Sequence, residues 1–343
     1  MELVFAVGTV LSAGRAGDAG DANAFVRVSP RDARYFELTD GRPYVPVGLN
    51  MLGPRNWKDL SGEQCVAQLD AWMGKLAANG GNFARVWLSY PCWDVECVRS
   101  GQYEEDKARR IDALLAATRK HGIRLKLCLE HFREINPAGA PQPWATKAIH
   151  HVSGGGRYRS MAELLDSDAG RRQFKAKLAW LARRFGQRPE VFGWELWNEM
   201  DCVRGGRWED WTAEMLGELH RLLSRNLAMQ SLGSYDDERK RDMYRRVVTM
   251  KGNDVAQVHR YLDCGARWEI CRGPVDVLAA DAVREMLAFK PARPVLLAES
   301  GAVEPRHSGP FKLYGKDTAG IILHDVLFAP FFAGAAGSGH CWH

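Results

Sequence analysis

Several signatures are missing from this sequence of 343 residues, and each absence removes a class of protein. No run reaches the roughly 18 to 20 uninterrupted apolar residues of a membrane-crossing helix. No Gly-x-Gly-x-x-Gly opens a helix after a first strand, so a dinucleotide-binding fold loses its main evidence. The eight cysteines hold no Cys-x-x-Cys pair, which removes zinc-ribbon spacing. Their nearest pairs, Cys92 with Cys97 and Cys264 with Cys271, leave a loop bridge open, with buried free thiols the more frequent outcome. Charge of one sign is not concentrated either. Lys and Arg number 47 against 42 Asp and Glu, and the net +5 is scattered rather than gathered into the stripe that nucleic acid requires. With 46% hydrophobic and 26% charged residues, disorder, collagen and coiled coil are excluded as well.

What is abundant is tryptophan, twelve in all. Indole supplies flat apolar area with a polar handle, which large cores absorb and sugar-stacking sites use. Residues 1–24 read as a flexible lead-in or signal-like segment. Leu3 to Ala13 is an apolar run, but Met1-Glu2 ahead of it carries no Lys or Arg, so secretion or periplasmic export is left open. Residues 25–343 read as one domain. It begins with a hairpin, because Phe36-Glu37-Leu38 and Tyr44-Val45-Pro46-Val47 flank Asp40-Gly41.

Extended segments and helices then alternate. The extended ones are Val45–Asn50, Phe83–Leu88, Ile123–Leu129, Val191–Trp197, Leu227–Ser231, Val255–Tyr261, Val295–Ala298 and Ala335–Trp342. Between them run helical stripes. Val66, Leu69, Trp72, Met73 and Leu76 stop at Asn79-Gly80-Gly81, and Ile111, Leu114, Leu115 and Thr118 stop at Gly122. Asp168 is expected to cap a helix carrying Phe174, Leu178, Leu181 and Phe185, and Pro274 to start another. Eight such units of about 43 residues predict the α/β class and a (β/α)8 TIM barrel. Strand 8 takes the last residues, so the expectation is a barrel without its final helix. Either the chain is truncated, or the N-terminal segment Glu2 to Ala13, or the neighbouring subunit of a homo-oligomer, covers the flank of strands 1 and 8.

Active sites of such barrels gather at the C-terminal ends of the strands. Those ends supply Asn50, Arg85, His131, Asn198-Glu199, His259 with Tyr261, Glu299 and Trp342. The glutamates follow two different strands, in Trp194-Glu195-Leu196-Trp197-Asn198-Glu199 and Leu296-Leu297-Ala298-Glu299-Ser300-Gly301. Acetal cleavage needs one carboxyl group to protonate the leaving oxygen and a second, ionised one to meet the oxocarbenium-like centre. Trp197 and Arg85 are the neighbours expected to drive their pKa values apart.

These motifs, together with Leu38-Thr39-Asp40-Gly41 and Pro46-Val47-Gly48-Leu49-Asn50 at the start, resemble clan A glycoside hydrolases, in particular the cellulase and β-mannanase-like group of family 5. The resemblance runs from about residue 30 to 343. It implies a retaining β-glycosidase with Glu199 as acid/base and Glu299 as nucleophile. It further implies that Asn198 bonds the sugar 2-hydroxyl, Arg85 and Tyr261 hold Glu299, His131 and His259 line the subsite, and Trp342 forms its floor. The implied substrate is a β-linked polysaccharide or oligosaccharide, mannan-type first and β-glucan second, with neither metal nor organic cofactor and no membrane or nucleic-acid partner.

Plainer readings stand beside these. Glu195 is expected to point into the barrel as a buried structural carboxylate, and Glu130, beside His131, to be a support rather than a catalyst. His150, His151, His340 and His343 read as solvated or supporting histidines rather than metal ligands. Trp93, Trp144, Tyr158, Trp208 and Trp268 are candidate sugar platforms, and Asn136 to Arg159, with Gly154-Gly155-Gly156, is a wall or lid. The competing functions are a catalytically silent carbohydrate-binding barrel and a metal-dependent barrel hydrolase.

Overall fold

The computed structural model describes residues 23–131, 134–140 and 147–342. The signal-like run, Trp144 and His343 lie outside the described residues. A three-stranded antiparallel sheet comes first, with Val26–Val28 on Phe36–Leu38 and Phe36–Leu38 on Pro43–Tyr44. Gly41 turns its hairpin at φ +90°, a conformation that a side chain would oppose. The sheet is a plug. Val26, Phe36, Leu38 and Tyr44 pack on Phe83, Phe192, Leu227, Leu296 and Ala336, residues at or near the starts of strands, so it seals the end opposite the strand C-termini.

The barrel strands are strand 1 (Gly48–Leu52), strand 2 (Phe83–Trp87), strand 3 (Arg124–Glu130), strand 4 (Val191–Trp197), strand 5 (Leu227–Met229), strand 6 (Ala256–His259) and strand 7 (Val295–Glu299). Strands 1 to 5 form one parallel ladder, and strands 6 and 7 a second. Asp254 N–H to Ala228 O at 2.9 Å and Tyr235 N–H to His259 O at 2.7 Å join the two. The eighth position is filled by residues 336–342. Ala336 and His340 donate N–H to Val295 O and Leu297 O on one side, while Ser338 N–H reaches Pro46 O and Asn50 N–H reaches Cys341 O on the other. Cys341 bridges in parallel to both Leu49 and Ser300. The ring is a (β/α)8 barrel.

The helices are α1 (Gly62–Ala78), α2 (Glu105–His121), α3 (Met161–Asp166), α4 (Asp168–Phe185), α5 (Trp208–Leu222), α6 (Arg241–Val248), α7 (Val275–Ala288) and α8 (Ile321–Phe332). Their ends follow local chemistry. Ser61 and Gln64 form a capping box at the start of α1, and Gly122 at φ +67° closes α2 on the carbonyls of Thr118 and Arg119 before strand 3 begins. The cap of α4 is Ser167, whose hydroxyl accepts from Gly170 N–H; Asp168 is its first helical residue instead.

The interior departs from the layers of branched aliphatics usual for this fold. Arg85, Lys126, Glu195, Gln257, His259 and His340 fill it, each at most 2% exposed. Strand 3, Arg124-Leu-Lys-Leu-Cys-Leu-Glu130, shows how: its leucines join the core cluster shared with the helices, while Lys126 bonds Gln257 of strand 6 across the barrel.

Candidate active site

Register brings the site together before any side chain is considered. Asn50 pairs with Arg85 across strands 1 and 2, and His259 with Glu299 across strands 6 and 7. Strand 4 ends at Trp197, and Asn198 N–H is then caught by Glu130 O at 2.7 Å. Glu199 follows at φ 54°, ψ 60°, a left-handed conformation that is uncommon for a residue with a side chain and characteristic of functional sites. Ser231, just beyond strand 5, holds it there: its hydroxyl accepts from Glu199 N–H at 3.2 Å and its carbonyl from Met200 N–H.

Arg85 is the hub. Its Nη1 donates to Glu299 Oε1, its Nη2 to Asn198 Oδ1 at 2.8 Å and its Nε to Glu195 Oε2 at 2.7 Å. Tyr261 Oη donates to the other oxygen of Glu299 at 2.9 Å. His259 Nδ1 lies between the two glutamates, 3.2 Å from Glu199 Oε1 and 3.3 Å from Glu299 Oε2. One oxygen from each carboxylate and one ring nitrogen thus lie within 4.8 Å of one another, all buried. Such a trio could ligate a metal ion, but both oxygens of Glu299 already accept bonds from Arg85 and Tyr261. Burial, reinforced by Glu299 and Glu199, pushes the Tyr261 phenol well above its ordinary range, so it remains a neutral donor. Burial also opposes the charge of Glu195, yet Arg85 and Lys126 prevail and hold its carboxyl at about 2.

An aromatic wall completes the site. Trp87 stacks on His131 at 4.5 Å and meets Trp342 at 5.2 Å, and Ser89 Oγ bonds His131 Nδ1. All the residues expected at the strand ends therefore meet around one mouth, with one difference of orientation. Asn50 Nδ2 bonds the carbonyls of Ala298 and His340, which makes this side chain a clamp beneath Arg85.

Other expectations are corrected. Trp197 contacts Phe174 and Trp211 in the helical layer. Trp93 and Tyr158 are core residues at 0% and 2% exposure, too enclosed to serve as platforms. Trp268 packs on Tyr235 and Arg260. Of the two readings given for the histidines, His150 and His340 take the supporting one, both being buried; burial holds His150 at about 3 and keeps His340, stacked on Phe83, far below the usual histidine range. Cys92 stands beside Cys65 rather than Cys97. Glu130 ion-pairs with Lys177. Residues missed from sequence are Ser231, Ser89 and Lys126; a polar residue after strand 5 was the available signal for the first.

No family model matches the chain. Two curated rice proteins do, both Oryza sativa subsp. japonica: mannan endo-1,4-beta-mannosidase 3 is 28% identical over 158 residues, and mannan endo-1,4-beta-mannosidase 4 is 27% identical over 174. These alignments take in 43% and 47% of this chain but only 33% and 36% of the rice proteins, so the chain spans about a third of the relatives' length. The chain resembles glycoside hydrolases of clan A, family 5. Among solved structures, a family 5 mannosidase from Rhizomucor miehei matches with a TM-score of 0.66 at 14% identity, covering 94% of this chain and 86% of that one. The exo-beta-1,4-mannosidase Op5Man5 of Opitutaceae bacterium strain TAV5 matches at 0.61 and 18% identity, over 92% and 54%. A beta-glucanase from Saccharophagus degradans matches at 0.59 and 17% identity, over 93% and 84%. At these identities the structural likeness speaks for the barrel fold.

Proposed function

We propose that this chain is a retaining β-glycoside hydrolase acting on mannan-type β-linked chains. The observation that carries this is the Glu199–Glu299 pair, whose nearest oxygens lie within 4.8 Å. Carboxyl groups about 5 to 5.5 Å apart accompany retention, and roughly 6.5 to 9.5 Å inversion. Glu299 is the nucleophile: Arg85 and Tyr261 stabilise its anion and fix its oxygens. It attacks the anomeric carbon while Glu199 gives its proton to the departing glycosidic oxygen. Water then attacks the glycosyl ester, Glu199 takes the water proton, and Glu299 leaves as carboxylate. Because Arg85 takes Asn198 Oδ1, the amide N–H of Asn198 is turned to donate to the 2-hydroxyl. Trp342, the half-buried ring of the aromatic wall, offers the face on which the sugar ring lies, braced by Trp87, which stacks in turn on His131.

Mannan is preferred because the curated relatives are mannan endo-1,4-beta-mannosidases; the Saccharophagus neighbour keeps β-glucan second. Glu199→Gln and Glu299→Gln should each lower kcat on the order of 10²- to 10⁴-fold without unfolding the protein. Hydrolysis of mannan, β-glucan and xylan, with the product anomer read by NMR before mutarotation, tests substrate and stereochemistry together. Release of the inverted anomer, or near-normal rates in either variant, would overturn the mechanism. Silence of the unmodified protein on all three glycans would favour the carbohydrate-binding reading.

A further inference from the structure

Beneath the glutamates lies a second layer of charge that the mechanism above does not use. Lys126 of strand 3 is in direct register with Arg85 of strand 2, so two cations stand side by side inside the barrel, both 0% exposed. Like charges opposed on neighbouring strands are destabilising, and burial multiplies the cost. Glu195 of strand 4 answers both: its Oε2 is 2.7 Å from Arg85 Nε and 3.6 Å from Lys126 Nζ. Lys126 also bonds Gln257.

The other groups facing this layer are Cys128 of strand 3, His259 of strand 6, Glu299 of strand 7, Ser231 after strand 5 and His340 of the closing segment, while Glu199 and the neutral Tyr261 face Glu299 itself. Burial keeps the Cys128 thiol protonated and His340 uncharged, so neither adds a fixed charge. Arg85 and Lys126 then balance Glu195 and Glu299.

We infer that Glu195 and Lys126 are positioning residues that act through Arg85, setting how much of its positive charge reaches Glu299. Glu195 draws Arg85 by Nε and anchors the guanidinium so that Nη1 and Nη2 remain on Glu299 and Asn198. Lys126 offsets that draw. Burial pushes the Lys126 ammonium down to about 8 even beside Glu195, so below that pH the balance holds.

The inference rests on the glycosidase reading for its consequence in turnover, but its electrostatic core can be read without substrate. The test uses three variants of the full chain: Lys126→Met, the isosteric Glu195→Gln, and the double variant. In each, the Glu299 carboxyl is titrated by NMR in protein carrying ¹³C-labelled glutamate, its resonance identified by loss in Glu299→Gln. The acid limb of kcat/KM on mannan is measured in parallel.

Lys126→Met removes one positive charge, so protonation of Glu299 becomes easier and its titration moves up by about one pH unit. Glu195→Gln keeps an acceptor for Arg85 but removes a negative charge, so the titration moves down by a similar amount. The double variant restores the balance and returns toward the unmodified protein. A merely structural role would lower the unfolding temperature without moving the titration in opposite directions. If turnover is present and Glu299 titrates unchanged, or in the same direction, in both single variants, the inference is overturned. If the opposed shifts appear in a protein with no turnover, the glycosidase reading fails and the charge balance stands. Should Lys126→Met not fold, Glu195→Gln alone decides by the sign of its shift.

Discussion

Tyr261 shows how much one atom is asked to do. Its hydroxyl is a neutral donor to Glu299 at 2.9 Å, from a side chain that is buried. Tyr261→Phe removes a bond to a charged acceptor, worth about 1.5 to 3 kcal/mol, and should lower kcat/KM roughly 10- to 100-fold. It should also move the acid limb upward, because the anion loses a stabilising donor; a pH profile displaced downward would contradict the geometry. This residue was legible in the sequence, as were Arg85, Asn198 and both glutamates, because a barrel forces chemistry to strand ends and those ends can be located from periodicity. Ser89 was not, and Ser231 showed only as a polar residue after strand 5, since a serine carries no mark that distinguishes a hydroxyl holding a strained backbone from one facing water. Trp93 and Tyr158 misled for a related reason. An aromatic in a loop reads as available until the packing around it is known.

At the scale of the element, punctuation was easier to read than facing. The glycines ending α1 and α2 and the proline before α7 stand where expected, because φ preferences act locally. The capping box of α1 is similarly local. Ser61→Ala should cost about 1 kcal/mol, visible as a lower denaturant midpoint at unchanged m-value, whereas an unchanged midpoint would mean that α1 is held by packing alone. Facing was harder. The alternation of strand 3 reads as a sheet with one wet side, and nothing in Lys126 itself says that its side is an enclosed interior furnished with counter-charges. The displaced cap of α4, Ser167 for Asp168, is the ordinary one-residue ambiguity of two good capping residues in a row.

Across the whole molecule, buried carboxylates tie stability to pH. Burial alone would raise Glu195 and Glu96, but Arg85 and Lys126 in one case, and Lys177 and Lys147 in the other, hold both at about 2. Their folded pKa values are depressed below the ordinary 4.5, so their contribution is fully present above that pH and is lost as the pH falls from 4.5 toward 2. Lys126 works at the other end. Lowered from 10.5 to about 8, it leaves the folded chain with fewer protons than the unfolded one in that window, so stability gains as the pH rises through it. Thermal unfolding followed by circular dichroism should therefore show a midpoint that falls steeply only below about pH 4.5. A midpoint that is flat down to about pH 2 would mean that the buried pairs contribute nothing.

The seam made by residues 336–342 has a consequence for how the ring is built. Gly48 N–H reaches Ser338 Oγ across 290 positions of chain, so the last wall of the barrel joins parts that are almost maximally distant in sequence. Contacts of that range form late, after loop-closure entropy has been overcome elsewhere. Until they do, strand 1 and strand 7 each present a row of unpaired backbone groups, the template on which foreign strands add. The half-closed barrel is then the vulnerable species in refolding, and the yield of folded protein depends on how fast one short, glycine-rich segment finds its slot.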